Sequence, residues 1–171
     1  MTNTNRVMGT NGAAEFIRMA GNPFRFNFFL FYRLPAAYFS GVRLREITEE
    51  HALATVPFKW FSQNPFRSIY FACQAMAAEL STGILAMAHL HGRKPAVSML
   101  VVKIEGEFIK KGTSVVAFTC RDGAAMKGAI EEAVATGQPV TFIALSTGIN
   151  GRGERISEFR ITWSFKAKST A

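Results

Sequence analysis

The chain contains 171 residues, of which 49% are hydrophobic and only 19% are charged, and its formal net charge is +8. This length is sufficient for one domain with a buried core, and the small share of charged residues excludes a largely disordered protein. The basic residues are scattered and form no nucleic-acid motif, so we expect no nucleic-acid partner and interpret most of them as solvated side chains.

The first twelve residues are polar and lack the apolar run of a signal peptide. They predict a disordered N-terminus, residues 1–12, in a cytoplasmic protein. The two cysteines, Cys73 and Cys120, lie in apolar segments and do not have the spacing of metal ligands. We therefore expect two free, buried thiols in a reducing compartment.

Residues 13–40 form an aromatic segment that is predicted to be helical, with an end or a kink at Pro35. Six phenylalanines and two tyrosines lie between Phe24 and Phe39. The favoured interpretation is a helical extension that packs over the open sheet or over the opening of a ligand site. The alternative is an amphipathic, basic helix that makes a weak contact with a membrane surface. The segment is too short, and too interrupted by Arg33 and Pro35, to span a bilayer.

A repeating β pattern surrounds two predicted helices. The predicted strands are residues 42–48, 52–59, 96–110, 114–121, 139–147 and 154–167. A long central helix separates the second strand from the third, and a short helix from Asp122–Gly123 to Thr136–Gly137 separates the fourth from the fifth. The simplest assembly is a single α+β domain, residues 13–171, in which one curved antiparallel sheet wraps around the long helix.

Residues 64–91 are predicted to form a short loop and this central helix, which is small or apolar on nearly every side. Such a helix is normally enclosed by protein or by membrane, and polar residues occur in it too often for a bilayer span. Its single carboxylate, Glu79, lies near the middle. An enclosed carboxylate costs several kcal/mol unless it is paired or neutral, so Glu79 is the first candidate for a functional residue.

Helical spacing places small side chains and this carboxylate on one stripe. The stripe contains Ser68, Ala72, Ala75, Glu79 and Thr82, which are spaced by four, three, four and three residues. The opposite stripe is bulkier and is expected to pack against the sheet. Its members are Ile69, Cys73, Met76, Leu80 and Met87. A row of alanines beside a carboxylate suits a narrow slot in which the carboxylate acts as a base.

The run N-P-F-R-S-I-Y-F-A-C-Q-A-M-A-A-E-L contains Asn64, Ser68 and Glu79. It resembles the central-helix signature of an uncharacterised family allied to the acyl-CoA thioesterases. In that family an Asn opens the loop, a small hydroxyl residue starts the helix, and a Glu follows the Asn by fifteen positions. The similarity covers roughly residues 34–168. The resemblance implies the hotdog fold, hydrolysis of an acyl-CoA or a related acyl thioester, and a homodimer or dimer of dimers with its active site between subunits.

Thioester hydrolysis needs a carboxylate that activates water or attacks the carbonyl, and dipoles that stabilise the oxyanion. Glu79 is the candidate for the first role, and the free amides of the helix start, near Arg67 to Tyr70, are candidates for the second. Asn64 is the other candidate catalytic residue. Substrate-binding residues are expected at Ser68, Ala72, Ala75, Arg67 and Tyr70. Two alternatives remain open: Glu79 pairs with a cation or with the partner's Asn64 and only stabilises the interface, or Asn64 only forms a turn.

No cofactor is expected beyond the coenzyme A of the substrate, whose phosphates a few basic residues could hold. No metal site is expected, because His89 and His91 diverge at a helix end and no Cys or carboxylate ligand is near them in sequence. The resemblance also argues against a hydratase, which in related folds uses a His near the active-site helix, because no His lies between His51 and His89. The rival function is a non-catalytic acyl-binding, lipid-binding or scaffolding protein of the same fold.

Overall fold

The computed structural model describes residues 10–168, which form five α-helices, one 3₁₀ helix at Trp60–Ser62 and six strands. The helices are α1 (Thr10–Ala20), α2 (Pro23–Arg33), α3 (Pro35–Phe39), α4 (Phe71–Leu90) and α5 (Gly123–Thr136). The strands are β1 (Arg43–Ile47), β2 (Ala52–Val56), β3 (Val97–Phe108), β4 (Val116–Cys120), β5 (Val140–Asn150) and β6 (Arg155–Ala167). The strands form one antiparallel sheet in the order β1-β2-β4-β5-β6-β3, with the long helix α4 packed on it. The predicted α+β class and the order of the elements are confirmed.

Polar side chains connect helix α4 to the inner face of the sheet. The hydrogen-bonded pairs are Ser157 Oγ to Gln74 Oε1 (2.7 Å), Trp163 Nε1 to Thr82 Oγ1 (3.1 Å) and Ser81 Oγ with Ser146 Oγ (2.8 Å). Within residues 10–168, every buried polar side-chain atom has a hydrogen-bond partner. A window of α4 is long and apolar enough to cross a membrane, but 67% of it is buried in the fold. The polar residues of α4 therefore fix its position on the sheet.

The side of α4 that faces the sheet includes small polar residues. Ser81 and Thr82 form its hydrogen bonds to the strands, and both are fully buried. The predicted bulky stripe is therefore wrong in part, because Met76 is only partly buried and lines a cavity next to Glu79. Thr82 does not extend the predicted slot, because its hydroxyl is bound to the indole of Trp163.

Helix α4 begins at Phe71, three residues after its predicted start at Ser68. Arg67 has a φ of 57°, in the left-handed region, and Tyr70 is extended with φ −59° and ψ 137°. Neither conformation fits a continuous right-handed helix. The segment from Asn64 to Tyr70 is therefore a loop, and Ser68 is not part of the helical stripe.

Strand β5 continues to Asn150, three residues beyond its predicted end. The Asn150 side-chain oxygen accepts hydrogen bonds from the backbone amides of Arg152 and Glu154, at 2.9 and 3.0 Å, and so closes the hairpin turn. Gly148 follows the predicted end of this strand at residue 147 but lies inside the observed strand. A Cβ there would lie 2.6 Å from the Phe118 ring, so the glycine leaves space for the aromatic side chain.

Helices α1 to α3 form the predicted helical extension, which packs on α4 and on the edge strand β1. Phe26 and Leu30 of α2 are buried in the core, and the Phe16 ring of α1 lies 5.5 Å from that of His91. Because α1 begins at Thr10, the prediction of disorder for residues 1–12 is wrong at 10–12. Residues 1–9 lie outside the described part of the chain. The extension thus covers the central helix, not the open sheet.

Candidate active site

Glu79 opens into a cavity between α4 and the connection from α2 to α3. The cavity has a volume of about 230 Å³. Its lining residues are Arg33, Leu34, Pro35, Ala36, Ala37, Met76, Glu79 and Leu80. The helical extension therefore forms one wall and α4 forms the other. The position of the extension beside this cavity is consistent with the interpretation that it covers the opening of a ligand site.

The carboxylate of Glu79 has no charged partner among residues 10–168. Burial raises its pKa, and no charged neighbour in the described chain opposes this shift. Arg33 lines the same cavity, but the ion pairs of the described residues do not include it. A half-buried carboxylate with a raised pKa and no cation can accept a proton at a higher pH than an exposed one, which suits a general base. Within residues 10–168 the ion pairs therefore give Glu79 no cation, and its pairing with a group of a partner subunit stays an open alternative.

Gly83 and Trp163 fix the space beside Glu79, and sequence reasoning did not select them. A Cβ on Gly83 would lie 3.1 Å from Glu79 Oε1 and 3.2 Å from the Trp163 ring. The indole is held by its bond to Thr82 Oγ1, and that hydroxyl donates to the backbone carbonyl of Glu79 at 3.1 Å. A glycine inside a helix costs about 1 kcal/mol relative to alanine. A glycine one turn after the carboxylate, inside a predicted helix, was therefore the signal in the sequence that could have identified Gly83.

The polar side chains of the loop before α4 bind the loop itself. Asn64 Oδ1 accepts hydrogen bonds from the backbone amides of Phe66 and Ser68, at 3.0 and 3.2 Å, and from Ser68 Oγ at 3.2 Å. Ser68 is buried, and its hydroxyl donates to Asn64 Oδ1. The turn-forming role of Asn64 is confirmed for its side-chain oxygen.

The predicted oxyanion donors are already bonded to protein oxygens. The pairs are Arg67 N to Asn64 O (3.1 Å), Ser68 N to Asn64 Oδ1 (3.2 Å), Ile69 N to Gly112 O (2.7 Å) and Tyr70 N to Ser62 O (2.8 Å). The prediction that the amides near Arg67 to Tyr70 stabilise an oxyanion is therefore wrong, because these amides already donate hydrogen bonds within the protein. The first helical amides, those of Phe71 and Ala72, have no partner one turn earlier, and Tyr70 supplies no side-chain cap. They are the donors that remain.

A second cavity of about 600 Å³ lies at this end of α4. Its lining includes Asn64, Ser68, Tyr70, Phe71 and Gln74, with Lys110 and Lys111 on the opposite wall. Glu79 does not line it. Eight residues along a helix correspond to roughly 12 Å, so the helix start and the carboxylate are separated within one chain.

The remaining predicted substrate-binding residues lie between or beside these two cavities. Ala72 and Ala75 are partly exposed on α4 between the helix start and Glu79, as the spacing predicts. Arg67 is exposed on the loop and Tyr70 lies at its end, lining the larger cavity. The structure thus gives two groups: Asn64, Ser68 and Tyr70 in one place and Glu79 in another.

In residues 10–168, no group of three His, Cys, Asp or Glu side chains could hold a metal ion. His89 is buried and its Nε2 lies 2.9 Å from the Glu49 carbonyl oxygen, and burial lowers its pKa. Cys73 and Cys120 are both free and buried, and burial raises the pKa of Cys120 to about 12. None of these side chains therefore competes with Glu79 as the reactive group of this site.

Comparison with known proteins gives a family and a fold. The model of the family described as a domain of unknown function, DUF4442, matches residues 26–164. No curated protein matches the sequence. A structure from Pseudomonas aeruginosa, described as a protein of unknown function and probable thioesterase, is similar with a TM-score of 0.73 and 17% identity over 85% of this chain and 97% of that one.

Two further structures support the same arrangement. A thioesterase from Haemophilus influenzae aligns with a TM-score of 0.65 and 12% identity, over 85% of this chain and 91% of its own. A mutant thioesterase from Pseudomonas aeruginosa aligns with a TM-score of 0.64 and 15% identity, over 90% of this chain and 99% of its own. At these identities the similarity shows the fold, and the predicted hotdog fold is confirmed.

Proposed function

Because this chain belongs to the DUF4442 family and has the hotdog fold of proteins described as thioesterases, we propose that it hydrolyses an acyl-CoA or a related acyl thioester. The observation that supports this most directly is Glu79, a carboxylate with a raised pKa that opens into a cavity and has no charged partner among residues 10–168. A protein that needed only stability would not retain such a group without a partner.

The proposed site is shared between two protomers. In one chain the helix start and Glu79 line different cavities, so neither cavity holds both a base and oxyanion donors. Strand β3 is a 12-residue edge strand on which Leu100, Val102 and Ile104 are 65, 51 and 48% exposed. An exposed apolar edge is commonly covered by a twofold partner. A homodimer of this kind would bring Glu79 of one protomer to the helix start of the other.

In the proposed reaction Glu79 takes a proton from water as the water oxygen attacks the thioester carbonyl carbon. The amides of Phe71 and Ala72 of the other protomer donate hydrogen bonds to the oxyanion that forms on the carbonyl oxygen. When the intermediate collapses, the carbon–sulfur bond breaks and the Glu79 carboxylic acid returns its proton to the leaving thiolate. Direct attack by the carboxylate is the variant of this route, with an anhydride that water then hydrolyses.

The substrate is proposed to lie along α4, with its small side chains leaving room for the acyl group. Ala72 and Ala75 are on this path. Lys111 on the wall of the larger cavity and Arg67 on the adjacent loop are suited to hold the phosphates of coenzyme A, whereas Lys110 on the same wall forms an ion pair with Glu154 at 3.0 Å. We also propose a cytoplasmic location, which the two free thiols support.

The test is release of free thiol from a panel of acyl-CoAs by the intact protein and by Glu79→Gln. We expect turnover to fall by about two to four orders of magnitude, because general-base groups contribute that much. The control is Glu132→Gln, which removes an exposed carboxylate of α5 and should leave turnover unchanged. Wild-type turnover in a folded Glu79→Gln protein would remove this residue from the mechanism.

The rival is a non-catalytic protein that binds an acyl thioester or scaffolds other proteins. It is favoured by one observation, namely that the Asn64 oxygen and the Ser68 hydroxyl are used by their own loop. The two functions can be distinguished by measuring the binding of a non-hydrolysable acyl-CoA thioether by calorimetry. Binding of the thioether without thiol release from any acyl-CoA in the panel supports the rival.

A further inference from the structure

Helix α2 has a second aromatic face that is not covered within residues 10–168. Its inner face is buried through Phe26 and Leu30. On the outer face Phe24, Phe28 and Tyr32, each one turn apart, are 88, 70 and 71% exposed. The outer face of a surface helix in a globular protein is ordinarily polar. The inner face of α2 therefore packs into the core, and within residues 10–168 its outer face is left for another surface.

The exposed aromatic rings continue beyond α2. Ring centroids are 6.1 Å apart between Phe31 and Phe39, 5.9 Å between Phe39 and Phe61, and 5.7 Å between Phe61 and Trp60. Trp60 is 80% exposed. The resulting aromatic surface consists of Phe24, Phe28, Phe31, Tyr32, Phe39, Trp60 and Phe61. A continuous exposed surface of this composition on a globular domain usually marks an interaction site.

The charged residues of the sequence segment that carries most of the aromatic surface have one sign. Between Glu15 and Glu46 the sequence contains five arginines and no acidic residue. Two of them, Arg25 and Arg33, lie on α2 itself, and the ion pairs formed within residues 10–168 do not include either. Arg33 lies 5.6 Å from the centre of the Tyr32 ring. The surface therefore combines apolar rings with uncompensated positive charge.

We propose that the aromatic surface docks on an anionic lipid bilayer, with α2 lying in the plane of the headgroups. Phe and Trp side chains bury apolar area at the headgroup boundary, and Tyr and Trp are favoured there because their polar atoms stay hydrated. Arginines beside them are attracted by the negative potential of a phospholipid surface such as the cytoplasmic leaflet. The net charge of +8 adds to this attraction.

A second copy of the chain fits this surface less well than a bilayer does. A twofold contact through it would place the arginines of one α2 opposite those of the other, which like-charge repulsion opposes. The proposed dimer uses β3, whereas α2 contacts β1, and these strands are opposite edges of the sheet. Dimerisation through β3 therefore does not require the aromatic surface. The lipid proposal also stands independently of the proposed thioesterase activity.

The test is flotation of the full chain with phosphatidylcholine vesicles that contain or lack phosphatidylglycerol. We expect flotation with the anionic vesicles, weakened by salt and by Arg25→Gln. Phe24→Ser with Phe28→Ser should lower vesicle affinity by about tenfold or more, because two exposed rings no longer insert. The matched control is Ile143→Ser, since Ile143 is 58% exposed on β5 and lies outside this surface. If the double variant fails to fold, Phe24→Ser alone serves, because Phe24 is 88% exposed.

Three outcomes would overturn the proposal. The first is no flotation of the intact chain with anionic vesicles. The second is equal flotation with both vesicle types, which would contradict the role of the arginines. The third is a fall in sedimenting mass when Phe24 and Phe28 are replaced, without any loss of vesicle binding, which would identify a second copy of the chain as the occupant.

Discussion

The loop before α4 and the middle of α4 use their polar side chains in opposite ways. In the loop, Asn64 Oδ1 accepts three hydrogen bonds, one from the Phe66 amide and two from Ser68, so the polar atoms are satisfied locally. In the middle of the helix, burial raises the pKa of Glu79 and no charged neighbour in the described residues compensates it. Polar groups satisfied by their own loop maintain a conformation, whereas a half-buried carboxylate without a charged partner among residues 10–168 is available to a ligand. The comparison separates residues that shape the site from one that can react.

The largest effect that we expect after that of Glu79→Gln sharpens this comparison at the helix start. Phe71→Pro removes a proposed oxyanion donor, and proline is accepted at the first helical position. The preceding residue, Tyr70, is already extended at φ −59° and ψ 137°, as a residue before proline requires. We expect turnover with acyl-CoA to fall by about 10²–10³-fold relative to Phe71→Ala, which keeps the amide but loses the same ring. Equal turnover of the two variants would mean that this amide does not contact the oxyanion.

The second effect is a loss of stability in the loop. Asn64→Ala removes the acceptor of the Phe66 and Ser68 amides and of the Ser68 hydroxyl. We expect the free energy of unfolding to fall by about 1–3 kcal/mol in denaturant titrations, because Ser68 is buried. Gln63→Ala, at the exposed neighbouring position, is the control and should change it little. Lost turnover with unchanged stability in Asn64→Ala would instead place Asn64 in contact with substrate.

The smallest effect is a pH dependence of stability that Glu79 should cause. Because burial raises its folded-state pKa, the folded chain holds this proton at pH values where the unfolded chain has lost it. The contribution of Glu79 to stability is therefore most favourable below the unfolded pKa and is lost as pH rises through the folded pKa. We expect Glu79→Gln to melt higher than wild type at neutral pH, with the difference shrinking in acid. A difference that grows on acidification would indicate that Glu79 is paired in the folded protein.

The helical period was enough to predict Ala72, Ala75 and Glu79 on one stripe, because all three lie inside the regular part of α4. It failed at Ser68, where the left-handed Arg67 and the pairing of the Ile69 amide with Gly112 keep the chain out of the helix. That pairing joins residues distant in sequence, and no local pattern indicates it.

Thr82 illustrates the same limit at the other end of the stripe. Its spacing from Glu79 is helical, but the direction of its side chain is set by a hydrogen bond from Trp163 on β6, which lies 81 residues later. The fold was predictable because alternation and helical spacing are local and repeat many times along the chain. The candidate site was predicted only in part, since it depends on which distant groups satisfy each polar atom.

The most direct test of the shared site is the activity of a heterodimer of Glu79→Gln and Phe71→Pro chains, co-expressed with different tags and purified through both. Each variant homodimer should be nearly inactive. If Glu79 acts on substrate held by the helix start of the other protomer, the heterodimer contains one site with both groups intact, and thiol release from acyl-CoA should reappear. If both groups act within one chain, every site in the heterodimer carries a defect. A stable heterodimer that remains inactive would contradict the account.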